Sequence, residues 1–202
     1  MTKSVLVTGA TGFIGSRLVD ALIRKGYQVT SLVREGKEGN SKSNIIYGDL
    51  TDKKIDFKDL KFDCVFHLAS HTPLEKNKKI LEKVNLDGTK KLFEEIKGIT
   101  NSIIYISGLG VYGETGDKII DETQKYNPNT NFVKIRLDAE KYLKENSLKN
   151  KIDFAVVHFG DVYGSDGWFY EMLIKRLKKN TFRMPAGGDY FKGFVHVDDA
   201  VG

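Results

Sequence analysis

Gly9, Gly12 and Gly15 recur at three-residue intervals in Thr8-Gly9-Ala10-Thr11-Gly12-Phe13-Ile14-Gly15. The apolar run Val5-Leu6-Val7 precedes them and an amphipathic run, Phe13 to Lys25, follows. A glycine turn between a strand and a helix is suited to holding phosphate, because the first unpaired amides of the helix and the positive end of its dipole face the turn. Gly9 is expected to make the tight turn, and Gly12 to let the backbone approach a pyrophosphate with no Cβ in the way. Gly15 is expected to let the helix pack closely on the strand. With Thr11 and the amides around Phe13 and Ile14, these glycines form the expected cradle for NAD or NADP.

The choice between the two cofactors is made at the end of the second strand, where an acid bonds the ribose hydroxyls or an arginine accepts a 2′-phosphate. The sequence there is Val33-Arg34-Glu35. Arg34 holds the deciding place, with a planar fork suited to phosphate or to stacking on adenine, and Glu35 points elsewhere on a regular strand. NADP is therefore favoured over NAD.

The elements that must position these residues alternate in type. Strands are expected over residues 4–8, 28–33, 45–47, 64–68, 102–107 and 154–158, and helices over 13–25, 77–97 and 131–146. Such alternation implies crossovers between parallel strands, with helices on both faces of one sheet and strands that read as continuous apolar runs. The expected fold is α/β: a doubly wound parallel Rossmann sheet, with residues 1–160 as the NAD(P)-binding domain. Residues 161–202 lose the pattern and are expected to begin a substrate-binding lobe. They end at Asp198-Asp199-Ala200-Val201-Gly202, where a helix capped by an aspartate should start, so the chain is expected to be cut short.

A chain of 202 residues, 40% hydrophobic and 29% charged, can bury a core without disulfides or metal. No metal site is expected. The N-terminus lacks the segments of a secretory signal, and the apolar stretches are strand-sized, below the roughly 20 residues that span a bilayer. The single cysteine, Cys64, sits in an apolar strand. These features fit a reducing cytoplasm and no membrane partner. The net charge of +5 comes from lysines interleaved with acids along helices, the pattern of solvated faces rather than of a nucleic-acid surface.

The Gly-x-x-Gly-x-x-Gly spacing resembles that of the short-chain dehydrogenase/reductase superfamily, in its extended, epimerase/dehydratase-like branch. Further segments carry the same resemblance: Gly48-Asp49-Leu50-Thr51, Phe66-His67-Leu68-Ala69-Ser70, Val84-Asn85-Leu86-Asp87-Gly88-Thr89, Val111-Tyr112-Gly113 and Phe194-Val195-His196-Val197-Asp198-Asp199. The resemblance implies that Asp49 and Leu50 contact adenine, that Leu68, Ala69 and Ser70 line the cofactor, and that Asn85 also belongs to the cofactor site.

It further implies a catalytic tyrosine whose pKa is lowered by a lysine four residues on, with a serine or threonine bonding the same substrate oxygen. None of the nine tyrosines has a lysine four residues later. Ala139-Glu140 fixes the register of this segment and puts Phe132 at the tyrosine position and Arg136 at the lysine position. Counting back from Val111 puts Gly108 at the serine position, with Ser107 one residue earlier. Phe132 has no proton to give, while Arg136 keeps a cation for the nicotinamide ribose. The candidate catalytic residues are therefore Ser107, Arg136 and His158, the last as a replacement acid.

The expected function is that of an NAD(P)-binding epimerase/dehydratase relative. It would be an oxidoreductase or sugar-nucleotide-modifying enzyme with a non-standard site, acting on a small molecule such as a nucleotide sugar. The alternative is a catalytically silent NADP-binding sensor or scaffold. The resemblance also leaves open a homodimer through helices 77–97 and 131–146.

Overall fold

The computed structural model describes residues 2–52, 54–57, 59–189 and 192–202; Tyr190, one of the nine tyrosines, lies outside them. Six strands form one parallel sheet: β1 (Ser4–Thr8), β2 (Gln28–Val33), β3 (Asn44–Tyr47), β4 (Cys64–His67), β5 (Ser102–Gly108) and β6 (Asp153–Phe159). Their spatial order is β3-β2-β1-β4-β5-β6. Successive side chains of a strand point to opposite faces, so β1 contributes to two cores at once. Val5 and Val7 pack with Leu18, Val19 and Leu22 of α1 (Phe13–Arg24). Leu6 packs on the other face with Val65, Ile103, Leu92 and Leu143. Strands buried from both sides need apolar residues at most positions, which is why β1 reads as an apolar run, while β2 also buries Thr30 and Ser31.

The helix expected over residues 77–97 is observed as α2 (Lys78–Leu81), a π-helical segment (Glu82–Asp87) and α3 (Gly88–Ile96) in continuous succession. Thr89 Oγ1 donates to the Asn85 carbonyl within this run, at 2.8 Å. A long helix, α4 (Asn131–Lys149), packs beside α3 on the same face of the sheet. Its N-terminus is capped by Thr130, whose Oγ1 accepts from the Val133 amide at 3.3 Å.

Residues after β6 form a separate parallel pair, β7 (Asp161–Tyr163) and β8 (Phe194–His196). Between these two strands lie α5 (Gly167–Phe169), a π-helical segment (Tyr170–Ile174) and α6 (Lys175–Lys178). The last helix, α7 (Val197–Val201), corrects the expected aspartate cap. The helix starts directly after β8, so His196 is the cap, its Nδ1 accepting from the Asp198 amide at 3.3 Å. Asp198 and Asp199 are already inside the first turn, where they still complement the helix dipole.

Candidate functional site

From β1 the chain steps outward to β2 and β3, then crosses back to β4 on the other side of β1. The carboxyl ends of β1 and β4 therefore flank a topological switch point, where an open parallel sheet has a crevice. A cleft lies there. Of the residues singled out in the sequence, it is lined by Gly9, Thr11, Gly12, Arg34, Asp49, Leu50, Leu68, Ala69 and Ser70.

The three glycines answer to different demands. Gly9 has φ +70, and a Cβ on it would come within 2.8 Å of the Ala69 amide nitrogen, so both conformation and space require glycine. A Cβ on Gly15 would lie 2.1 Å from the Gly9 carbonyl oxygen. Close packing of helix on turn thus fixes Gly15. Gly12 differs, for its backbone is in an ordinary extended conformation and its Cβ would meet only the Gly9 oxygen, at 3.2 Å. The chain itself tolerates a small side chain at Gly12 far better than at the other two. No side chain caps α1 at this point, and its first amides follow directly from Gly12.

Arg34 is exposed at the end of β2, and Asp49 stands on the same cleft wall. Burial pushes the Asp49 carboxyl up, but bonds from the Thr51 amide and hydroxyl, both 2.8 Å, and the charges of Arg34 and His71 outweigh it. Asp49 therefore lies below its ordinary pKa and is held as a fixed anion beside an arginine.

Beneath the cleft runs a buried polar chain that no sequence pattern pointed to. His67 Nδ1 is 2.7 Å from Thr8 Oγ1, and its Nε2 is 2.8 Å from Thr89 Oγ1. Because Thr89 spends its proton on the Asn85 carbonyl, His67 Nε2 must donate to Thr89, and Nδ1 must accept from Thr8. The Ala69 amide donates to Thr8 Oγ1 at 3.2 Å, closing the chain on the cleft wall. Burial, with a contribution from Arg136, pushes the His67 pKa down to about 3, so the ring is neutral. Asn85 is buried and does not line the cleft; its side chain accepts from the His71 amide at 2.7 Å and donates to the His71 carbonyl at 3.2 Å. It holds the loop that forms the wall.

Phe132 and Arg136 lie one turn apart on α4, with the guanidinium 5.6 Å from the Phe132 ring centre and 5.8 Å from that of Tyr105. Arg136 donates to the Ile106 carbonyl and, at 3.4 Å, to Ser70 Oγ on the cleft wall. Its Nε is buried without a partner among the described residues. Alternation persists to the end of β5, so no local bend brings Ser107 round to the place of Gly108. Ser107 is buried and sits in register with His158.

Both nitrogens of His158 are occupied: Nε2 bonds the Glu140 carboxylate at 2.9 Å and Nδ1 bonds the Tyr112 hydroxyl at 3.1 Å. Tyr126 donates to the other Glu140 oxygen at 2.7 Å. Ser107 Oγ lies beside the same carboxylate and helps to keep it ionised without a fully formed bond. The sequence signal for this cluster was a charged residue, Glu140, on the stripe of α4 that carries the buried Ile135, Leu137, Ala139 and Leu143. Among the described residues no group of histidine, cysteine and acid side chains could hold a metal ion, and no helix is long and apolar enough to cross a membrane.

A sequence model of the NAD dependent epimerase/dehydratase family matches residues 5–202. The UDP-glucose 4-epimerase of Mycolicibacterium smegmatis is 28% identical over 224 residues, covering 97% of this chain and 70% of its own length. Among solved structures, the UDP-N-acetylglucosamine 4-epimerase of Methanobrevibacter ruminantium, in complex with UDP-N-acetylmuramic acid, superposes with a TM-score of 0.83 at 25% identity. That match covers 99% of this chain and 71% of the other. The UDP-glucuronic acid 4-epimerase of Bacillus cereus, in complex with UDP-glucuronic acid and NAD, gives a TM-score of 0.81 at 25% identity, over 98% of this chain and 70% of that one.

Proposed function

This chain belongs to the NAD dependent epimerase/dehydratase family, and from that premise we propose that it is a nucleotide-sugar-modifying enzyme with an altered proton-transfer site. Residues 1–160 hold the dinucleotide, and residues 161–202 open the lobe that takes the sugar nucleotide. The observation that carries this reading is Gly12, the one glycine of the turn whose lack of a side chain the fold does not itself demand. Its bare backbone beside uncapped helix amides fits a pyrophosphate.

The roles of the chain follow from their places. Gly9, Gly12 and Gly15, with the amides at Phe13 and Ile14, hold the pyrophosphate, and Thr11 borders it. Asp49 and Leu50 bound the adenine, Leu68 to Ser70 form the wall, and Arg136 reaches that wall to bond the nicotinamide ribose. Asn85 acts by fixing the wall rather than by touching the dinucleotide. Arg34, exposed on the cleft, takes the 2′-phosphate, so NADP is the preferred form. When bound, the dinucleotide supplies hydride transfer.

Proton handling differs from the tyrosine-lysine scheme. Phe132 offers no proton, Ser107 is buried against Glu140, and both nitrogens of His158 are engaged. His158 and Ser107 therefore position α4 and the end of β5, and the proton is exchanged with solvent water. The names of the relatives support UDP-sugars as the substrate class. The test is to titrate NADPH and NADH by fluorescence, then assay UDP-glucose, UDP-N-acetylglucosamine and UDP-glucuronic acid for conversion. Tight binding without turnover of any of them would overturn the enzyme reading in favour of a silent binding module.

A further inference from the structure

Phe13 opens α1, and its ring is enclosed between its own helix and a loop distant in sequence. On one side the Arg17 guanidinium lies 4.5 Å from the ring centre. On the other, the loop after β7 presses its glycines against the ring. A Cβ on Gly167, whose φ is +78, would lie 2.6 Å from Phe13 Cγ, and one on Gly164 would lie 3.0 Å from Cζ. Only residues without side chains let the loop come this close. Arg17 closes the arrangement: Nη1 donates to the Phe13 carbonyl at 2.8 Å, and Nη2 makes an ion pair with Asp166, at the tip of the same loop.

We propose that Arg17 is a positioning residue that clamps the phosphate turn to the loop 164–167, so that pyrophosphate affinity depends on the placement of residues 161–202. The clamp rests on the reading of the glycine turn as the pyrophosphate cradle. Arg17 fixes the carbonyl of Phe13 and the loop fixes its ring, so the peptide groups that face the phosphates cannot rotate independently. Preorganised donors bind an anion without a reordering cost, and releasing them weakens the anion but not the base. Binding in the lobe that shifts the loop would therefore alter dinucleotide affinity, and by linkage the reverse also holds.

Asp166 separates the clamp from simple charge attraction. Asp166→Ala removes a negative charge near the turn, so electrostatics alone predicts tighter binding of ADP, whereas loss of the clamp predicts weaker binding. Calorimetric titration of the full chain with ADP and with adenosine reads both. The expected result is a fall of about tenfold in ADP affinity for Asp166→Ala and for Arg17→Ala, with adenosine affinity unchanged. A double variant should lose much less than the product of the two single losses, because both act on one clamp. Unchanged or tighter ADP binding by Asp166→Ala, or an equal loss for adenosine, would overturn the clamp. Failure of the unaltered protein to bind ADP would instead overturn the cradle itself.

Discussion

The imidazole of His158 meets the carboxylate of Glu140 at 2.9 Å, with 9% and 4% of their side chains exposed. A carboxylate only accepts, so Nε2 carries a proton and donates to it, while Nδ1 faces the Tyr112 hydroxyl at 3.1 Å. Burial pushes Glu140 up, but bonds from His158 and Tyr126 outweigh it and hold the group below its ordinary 4.5. As pH falls, the unfolded chain then takes up this proton first. Stability from Glu140 is full above about 4.5 and is lost as pH falls through the lower folded value. Glu140→Gln should cost about 1–3 kcal/mol near neutrality. In urea melts it should also flatten the acid limb below the ordinary carboxyl value, and an unchanged limb would contradict the assignment.

His67 titrates with the opposite charge. Its folded value of about 3 lies far under the ordinary 6.5, so the unfolded chain alone gains a proton between the two, and stability falls as pH drops through that window. The slope from this one group reaches about 1.4 kcal/mol per pH unit. His67→Gln retains an acceptor for Thr8 and a donor for Thr89. Its stability should decline less steeply between those pH values, as chemical denaturation at several pH values will show.

Gly12 and Gly15 should separate ligand binding from folding. Gly15→Ala drives a Cβ to 2.1 Å from the Gly9 oxygen and is expected to cost more than about 3 kcal/mol or to prevent folding. Gly12→Ala needs only a few tenths of an ångström of relief. It should melt within a few degrees of the unaltered protein and yet bind NADH and NADPH at least about tenfold more weakly. Thermal melts and fluorescence titrations check both halves.

Arg34→Ala should lower NADPH affinity by about tenfold or more while leaving NADH nearly unchanged, since only the 2′-phosphate loses its charged partner. Equal effects on the two cofactors would assign Arg34 to the adenine instead.

Gly108 has room for a side chain. A Cβ there would meet nothing closer than the Phe159 oxygen at 3.5 Å, an ordinary contact. Gly108→Ser combined with Phe132→Tyr and Arg136→Lys should therefore fold, and it restores the three groups of the tyrosine-based scheme. UDP-sugar conversion by the triple variant should rise by about 10²–10⁴-fold, the usual worth of a positioned acid/base.

The local patterns of the chain determined its architecture. Apolar runs buried from both sides, amphipathic helices of period 3.6 and a strand-glycine-helix turn can be read over short windows, and they predict the doubly wound sheet and the glycine turn at its cleft. Arg34 was likewise legible at the end of a strand, and Asp49 and the wall at Leu68 to Ser70 through the resemblance carried by their segments. Contacts between distant segments were not. Thr8 and His67 are 59 residues apart, and Arg17 and Asp166 are 149 apart. Whether such residues meet depends on strand order, register and close packing, which no window of sequence contains. The register of β5 against β6 set Ser107 beside His158, and the packing of α4 brought Glu140 to that ring. Tertiary structure thus gave both nitrogens of His158 the partners that no sequence pattern had shown, and a side chain's chemistry depends on the partners that fill its hydrogen-bonding sites.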